Sequence, residues 1–127
     1  MNADLVLWIL QVLLALAFLG VGVAHILNYD SMASQPRMRW VTAVGRDRLR
    51  IIGVLEVLGA IGVVMPALTG VLPWLVPTAA AALAVLMVLA AVMHLRRPGE
   101  AQNVAVNAVL GALALAVAVG RFVIAPF

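Results

Sequence analysis

Cysteine and lysine are both absent from the 127-residue sequence, and charged residues of any kind are scarce, at 10%. Without cysteine the chain itself carries no disulfide, no thiolate nucleophile, no iron–sulfur ligand and no thiol–disulfide exchange. An ordinary globular domain has about 25% charged residues, so the shortage argues against one. What is there instead is apolar. Hydrophobic residues make up 66%, where a soluble domain carries about 45–50%. A fold of this size leaves a large fraction of its surface exposed, and it could not hide so much apolar area from water. The composition excludes a soluble domain, a disordered tail and a disulfide-stapled secreted scaffold. The reading that remains is a single integral membrane domain over residues 1–127.

All eight basic residues are arginine. Arg37, Arg39, Arg46, Arg48 and Arg50 stand between the first and second apolar stretches, Arg96 and Arg97 between the third and fourth, and only Arg121 lies elsewhere. Basic residues in alternate loops follow the positive-inside pattern of membrane proteins. They do not form the basic patch with interleaved aromatics that nucleic-acid binding uses, so no nucleic-acid partner is expected. The pattern predicts an all-α, four-transmembrane-helix bundle with both termini outside, N-out and C-out. The first stretch follows Met1-Asn2-Ala3-Asp4, which lacks the basic side chains of a signal peptide. It is read as a retained spanning helix.

A spanning helix takes about 20 apolar residues. Four segments qualify, roughly 5–27, 49–65, 73–95 and 101–124, the second stopping at Pro66. Trp8 and Trp74 then fall at the outer interface and Trp40 at the inner one, where aromatic belts form. The one long connection, Asn28 to Arg48, contains Pro36-Arg37-Met38-Arg39-Trp40-Val41-Thr42-Ala43-Val44. It reads either as a short interfacial helix lying on anionic headgroups or as an irregular loop anchored by Trp40.

Polar groups inside a bilayer are costly, so each is a functional candidate. They are Gln11, His25, Glu56, His94, Asn103, Asn107 and Arg121. His25, Glu56, His94, Asn103 and Asn107 share the leaflet on the arginine side; Gln11 and Arg121 share the other. Residues three and four apart occupy one helix face. Four such stripes appear: Gln11, Ala15, Phe18, Gly22 and His25; Gly53, Glu56, Ala60 and Val63; Ala80, Leu83, Met87, Ala91 and His94; Asn103, Asn107, Gly111, Ala114, Ala118 and Arg121. Small residues let membrane helices approach, and polar ones bond across the contact, so the stripes are expected to face inward.

Glu56 is the deepest acid. Unpaired, it is costly to ionise; paired with His25 or His94, or hydrogen-bonded to Asn107, it could carry its charge. It is either a proton-handling or ligand-orienting group, or a residue that joins helix to helix. His25 and His94 each end a span, with no HxxxH or ExxH spacing. The expectation is interface histidines meeting headgroups and helix C-termini, with no metal or haem between them. Arg121 is expected to snorkel to the outer headgroups, the alternative being an inward contact with Gln11. Met38, Met65, Met87 and Met93 read as gap-filling apolar residues.

The run Gly53-Val-Leu-Glu56-Val-Leu-Gly59-Ala-Ile-Gly62, followed by Pro66, resembles the second-helix signature of DoxX-like membrane proteins. Gly22-x-x-His25 resembles the family's first-helix end, although lysine is common there. Met93-His94-Leu-Arg96-Arg97 followed by Asn103 resembles its third-to-fourth helix junction. The resemblance covers nearly the whole chain. It implies a four-helix, multi-pass integral membrane protein, with the bacterial cytoplasmic (inner) membrane as the expected location. It also implies links to thiosulfate:quinone oxidoreduction, oxidative-stress complexes or chaperoning. Without cysteine, persulfide or disulfide chemistry cannot reside in this chain.

Three functions stay open. The first is a redox-associated accessory subunit that binds a quinone-like or other lipophilic small molecule in a slot lined by Glu56, His25, His94, Asn103 and Asn107. The second is a non-catalytic assembly or scaffold subunit, self-associating as a homo-oligomer or packing on a partner membrane protein. The third is an intramembrane acid–base enzyme using Glu56 and His25 on a lipophilic substrate. Channel or transporter function is disfavoured, since no inverted repeat and no broken helix is apparent.

Overall fold

Local chemistry sets where the helices begin and end. Asn2 opens the first one: its side-chain oxygen accepts the Leu5 N–H at 2.8 Å, an N-cap. The computed structural model describes residues 2–127. In chain order they form α1 (Ala3–Leu27), α2 (Tyr29–Ala33), a 3-10 turn (Pro36–Met38), α3 (Arg39–Val44), α4 (Arg46–Gly62), α5 (Met65–Thr69), α6 (Leu75–Leu95), α7 (Ala101–Val119) and a π-helical turn (Gly120–Ile124). Four stretches are long and apolar enough to cross a membrane: Ala3–Leu27, Arg46–Thr69, Leu75–Leu95 and Ala101–Ile124.

The second of these corrects two expectations, since Pro66 does not end the span and the span is broken. Pro66 has no N–H to give the Gly62 carbonyl, so α4 stops at Gly62. The chain restarts at once, with Pro66 in the first turn of α5, where proline is tolerated.

The helices pack as two close pairs, α1 with α4 and α6 with α7, joined by α4 against α6 and α1 against α7. The stripes on α1, α4 and α6 are largely where the spacing put them, whereas on the α7 stripe only Ala114, Ala118 and Arg121 are buried and Asn103, Asn107 and Gly111 are partly exposed. Gly53, Glu56, Ala60 and Val63 are all buried, as are Gln11, Phe18, Gly22 and His25 on α1 and Ala80, Leu83, Met87 and His94 on α6. Large apolar residues on the opposite faces, such as Leu16, Leu58, Leu89 and Val109, are exposed, as a lipid-facing surface requires. Two glycines of α4 are contact points with α6. A Cβ on Gly59 would stand 2.5 Å from Leu83 Cδ2, and one on Gly62 would stand 2.8 Å from Ala79 Cβ.

The long connection is helical in pieces, and it is more than an interfacial anchor. Val41 and Met32 bury themselves with Leu49 in a second small core. The segment therefore folds over one end of the bundle as a cap, and Gly45, at φ +91°, turns the chain from α3 into α4. This is the arginine-rich end; the termini and the α5–α6 connection lie at the other. Of the methionines, Met87 is in the main core, whereas Met65 is 46% exposed and fills no gap.

Candidate functional site

The site starts from two glycines. At the α1–α4 crossing a Cβ on Gly22 would stand 2.8 Å from the Gly53 carbonyl oxygen and 3.1 Å from Glu56 Cβ. A Cβ on Gly53 would stand 2.6 Å from the Gly22 oxygen and 3.0 Å from His25 Cβ. Each glycine thus makes room for the ionisable residue of the opposite helix. In that room His25 Nδ1 and Glu56 Oε1 meet at 2.5 Å, with His25 9% and Glu56 1% exposed. The contact needs one proton between the two atoms. Whether written as imidazolium–carboxylate or as neutral partners, the pair carries no net charge, which is what a bilayer tolerates. Of the three partners expected for Glu56, the structure selects His25.

His94 finds a different acid. Its Nδ1 meets Glu100 Oε1 at 2.6 Å, and Arg97 Nε donates to Glu100 Oε2 at 2.7 Å. Burial pulls the Glu100 carboxyl upward. The hydrogen bonds from His94 and Arg97, with the charges of Arg97 and His94, outweigh it and hold the group below the usual carboxylate value of 4.5. Glu100 was missed from sequence; the signal was the Pro98-Gly99 reversal, with Gly99 at φ +79°, which returns the chain toward His94. Both histidines are therefore buried and paired, which corrects the expectation that they face headgroups. Trp40, from the cap, stands edge-on between them, 5.8 Å from the His25 ring and 5.2 Å from the His94 ring.

The structure thus gathers His25, Glu56, Trp40, His94 and Glu100 under the cap. Asn103 and Asn107 are partly buried on α7, and neither bonds to these residues. The amide nitrogen of Asn107 is shut off from solvent and has no hydrogen-bond acceptor among the described residues. Likewise His25 Nε2 and Glu56 Oε2 make no hydrogen bond among the described residues. No group of three His, Asp or Glu side chains among the described residues could together hold a metal ion. Two surface depressions, of about 400 and 370 Å³, lie beside Arg50 and Val54 on α4 and between Trp74 and Phe127 at the other end. Neither reaches the His25–Glu56 pair.

A second polar cluster sits at the far end, and it corrects the reading of Arg121. That side chain is fully buried and does not snorkel. Its Nε donates to Gln11 Oε1 at 2.6 Å, and its Nη1 donates to Asp4 Oδ1 at 2.6 Å and to the Ala125 carbonyl at 2.9 Å. The Phe127 ring covers the guanidinium at 4.0 Å. Gln11 donates in turn to the Val63 carbonyl at 2.7 Å, in the break between α4 and α5. Asp4 was missed as well, although stepping back from Gln11 by four and three residues along its stripe reaches Leu7 and then Asp4.

Residues 9–117 match the family model described as the DoxX-like family. That range takes in Gln11 and every residue gathered under the cap, and leaves out Asp4 and Arg121. No curated protein and no solved structure matches the chain. With most of its length matched and four stretches able to cross a bilayer, the chain is a multi-pass integral membrane protein and belongs to the DoxX-like family.

Proposed function

We propose that this protein is a redox-associated accessory subunit that binds a quinone-like molecule through His25 and Glu56. One observation carries the reading: a buried imidazole–carboxylate pair whose outer atoms, Nε2 and Oε2, are left without a partner among the described residues. Such a pair suits both redox forms of a quinone. An imidazolium Nε2–H can donate to a quinone carbonyl, and a carboxylate oxygen can accept from a quinol hydroxyl. The proton shared between Nδ1 and Oε1 can sit on either atom, and Nε2–H stays a donor and Oε2 an acceptor in both cases.

A specific observation favours a second reading, in which the chain is a scaffold and the pair only fastens α1 to α4. The reciprocal fit of Gly22 and Gly53 would serve that purpose equally well. A binding measurement separates the two. With Trp8→Phe and Trp74→Phe, Trp40 is the only indole left, and it touches the His25 ring. In nanodiscs, decylubiquinone should quench it saturably, and Glu56→Gln and His25→Gln should abolish the saturable part while the helical circular dichroism stays. Quenching that rises linearly with quinone, identically in all three proteins, would leave the scaffold reading.

A further inference from the structure

At the end opposite the His25–Glu56 pair, α7 widens into its π-helical turn, and that turn carries Arg121. Such turns recur at functional sites. A guanidinium has five N–H bonds to place. The one on Nε goes to Gln11, and Nη1 serves Asp4 Oδ1 and the Ala125 carbonyl. Nη2 has two more, and its one acceptor among the described residues is the Asp4 carbonyl, at 3.5 Å. The side chain is shut off from water, so an N–H of a buried cation is left over. Buried donors are almost always bonded, and those of a buried charge are the costliest to leave free. The countercharge is incomplete as well: the Asp4 side chain is 59% exposed, and water screens its share of the pair.

Arg121 also lines the depression of about 370 Å³ at this end. Buried Pro77 and Arg121 make its floor, and Pro73, Trp74, Phe122 and Phe127 make its more exposed rim. Next to the rim, Val123 and Ile124 are exposed apolar side chains. The depression therefore combines a spare charged donor with an apolar flank. An exposed indole at the rim marks the headgroup level of a bilayer. The oxygen anions within reach at that level are lipid phosphates, and a guanidinium N–H suits a phosphate oxygen.

We infer that this depression seats a phospholipid from the leaflet on the side of the termini. Its phosphate accepts a hydrogen bond from Arg121 Nη2, its chains run along Phe122 and Val123, and the half-exposed Phe127 ring turns outward to admit it. The seat lies at the other end of the bundle from the His25–Glu56 pair and does not depend on what that pair binds.

The test is native mass spectrometry of the full chain, delipidated and then titrated with phosphatidylcholine. That head has a phosphate but no net charge, so the arginines at the other end do not select it. One lipid should bind more tightly than any that follow. Trp74→Ala removes an exposed wall, and Arg121→Lys keeps the charge but loses the fork; each should weaken that first binding about tenfold. Asp4→Asn takes away the competing carboxylate and should tighten it, a gain that a purely structural ion pair would not give. Diacylglycerol with the same chains should not bind at this seat, and millimolar inorganic phosphate should not displace the lipid. First-lipid affinity unchanged in Trp74→Ala and Asp4→Asn would overturn the inference. So would equal binding of diacylglycerol, which would remove the phosphate contact, or displacement by inorganic phosphate, which would make a free anion the ligand.

Discussion

Gly22 and Gly53 form a matched set with His25 and Glu56: each ionisable residue lies three positions after a glycine, and each glycine faces the other helix's ionisable residue. The glycine spacing was legible in the sequence, as was the cost of Glu56 standing alone. Which partner Glu56 takes was not, since His25, His94 and Asn107 share one leaflet and depth alone cannot rank them. Overpacking such a contact costs about 1–3 kcal/mol. Gly22→Ala and Gly53→Ala should each lose that much in a denaturant titration in detergent. Gly20→Ala, with no atom within 4 Å of its new methyl, should lose nothing. Alanine raises helix propensity at all three positions, so equal losses at all three would mean that the crossing is not what sets them. Glu100 gives a second expectation. Its folded-state pKa lies below the value of 4.5 for the free group, so the folded state binds its proton less readily than the unfolded chain does. The stabilisation is present above 4.5 and is lost as the pH falls through the folded-state value. Hydrogen exchange at residues 94–101 should accelerate across that window, and Glu100→Gln should remove the acceleration.

Among the elements, α1 does the most joining, because it meets α4 and α7 through different side chains. Gln11 spans the gap: its amide nitrogen takes the Val63 carbonyl, which lies where the ladder of α4 breaks, and its oxygen takes Arg121. Gln11→Leu keeps the volume and strips both bonds. Hydrogen bonds between membrane helices are worth about 0.6 kcal/mol on average, up to about 1.7, so the loss should be about 1–2 kcal/mol in the same titration. A variant as stable as the parent would mean that water or lipid satisfies both partners. The spans themselves were readable because each holds several turns of periodic small and polar residues. The cap was not, because α2 and α3 have five and six residues, too few to show a period. Only the tertiary contact of Val41 and Met32 with Leu49 fixes them. Arg121 was misjudged for a related reason: its partner Asp4 was counted among the residues before the first span, outside any helix face. The structure starts α1 at Ala3 and brings Asp4 onto the same face as Gln11.

At the scale of the whole molecule, the two ends differ in charge more than in fold. Seven of the eight arginines lie in the segments that join α1 to α4, in the first turns of α4, or between α6 and α7. The structure places these at one end of the bundle. Asp30, Asp47 and Glu100 share that end, but acidic residues contribute little to orientation. Carrying an arginine to the centre of a spanning helix costs about 2.5–3.5 kcal/mol on insertion scales, so sending seven across is strongly opposed, whereas Arg121 is a single arginine and is paired with Asp4 in the fold. The arginine-rich end is thus predicted to stay in the cytoplasm, with both termini outside. The absence of cysteine makes the test clean. Ser34→Cys marks the cap and Val71→Cys marks the opposite end, and both positions are exposed. In intact spheroplasts a membrane-impermeant maleimide should label Val71→Cys, and should label Ser34→Cys only after the membrane is permeabilised. The reverse pattern would mean that the arginines do not set the orientation. Equal labelling of both would mean that the protein inserts both ways, and a binding site under the cap would then face both compartments.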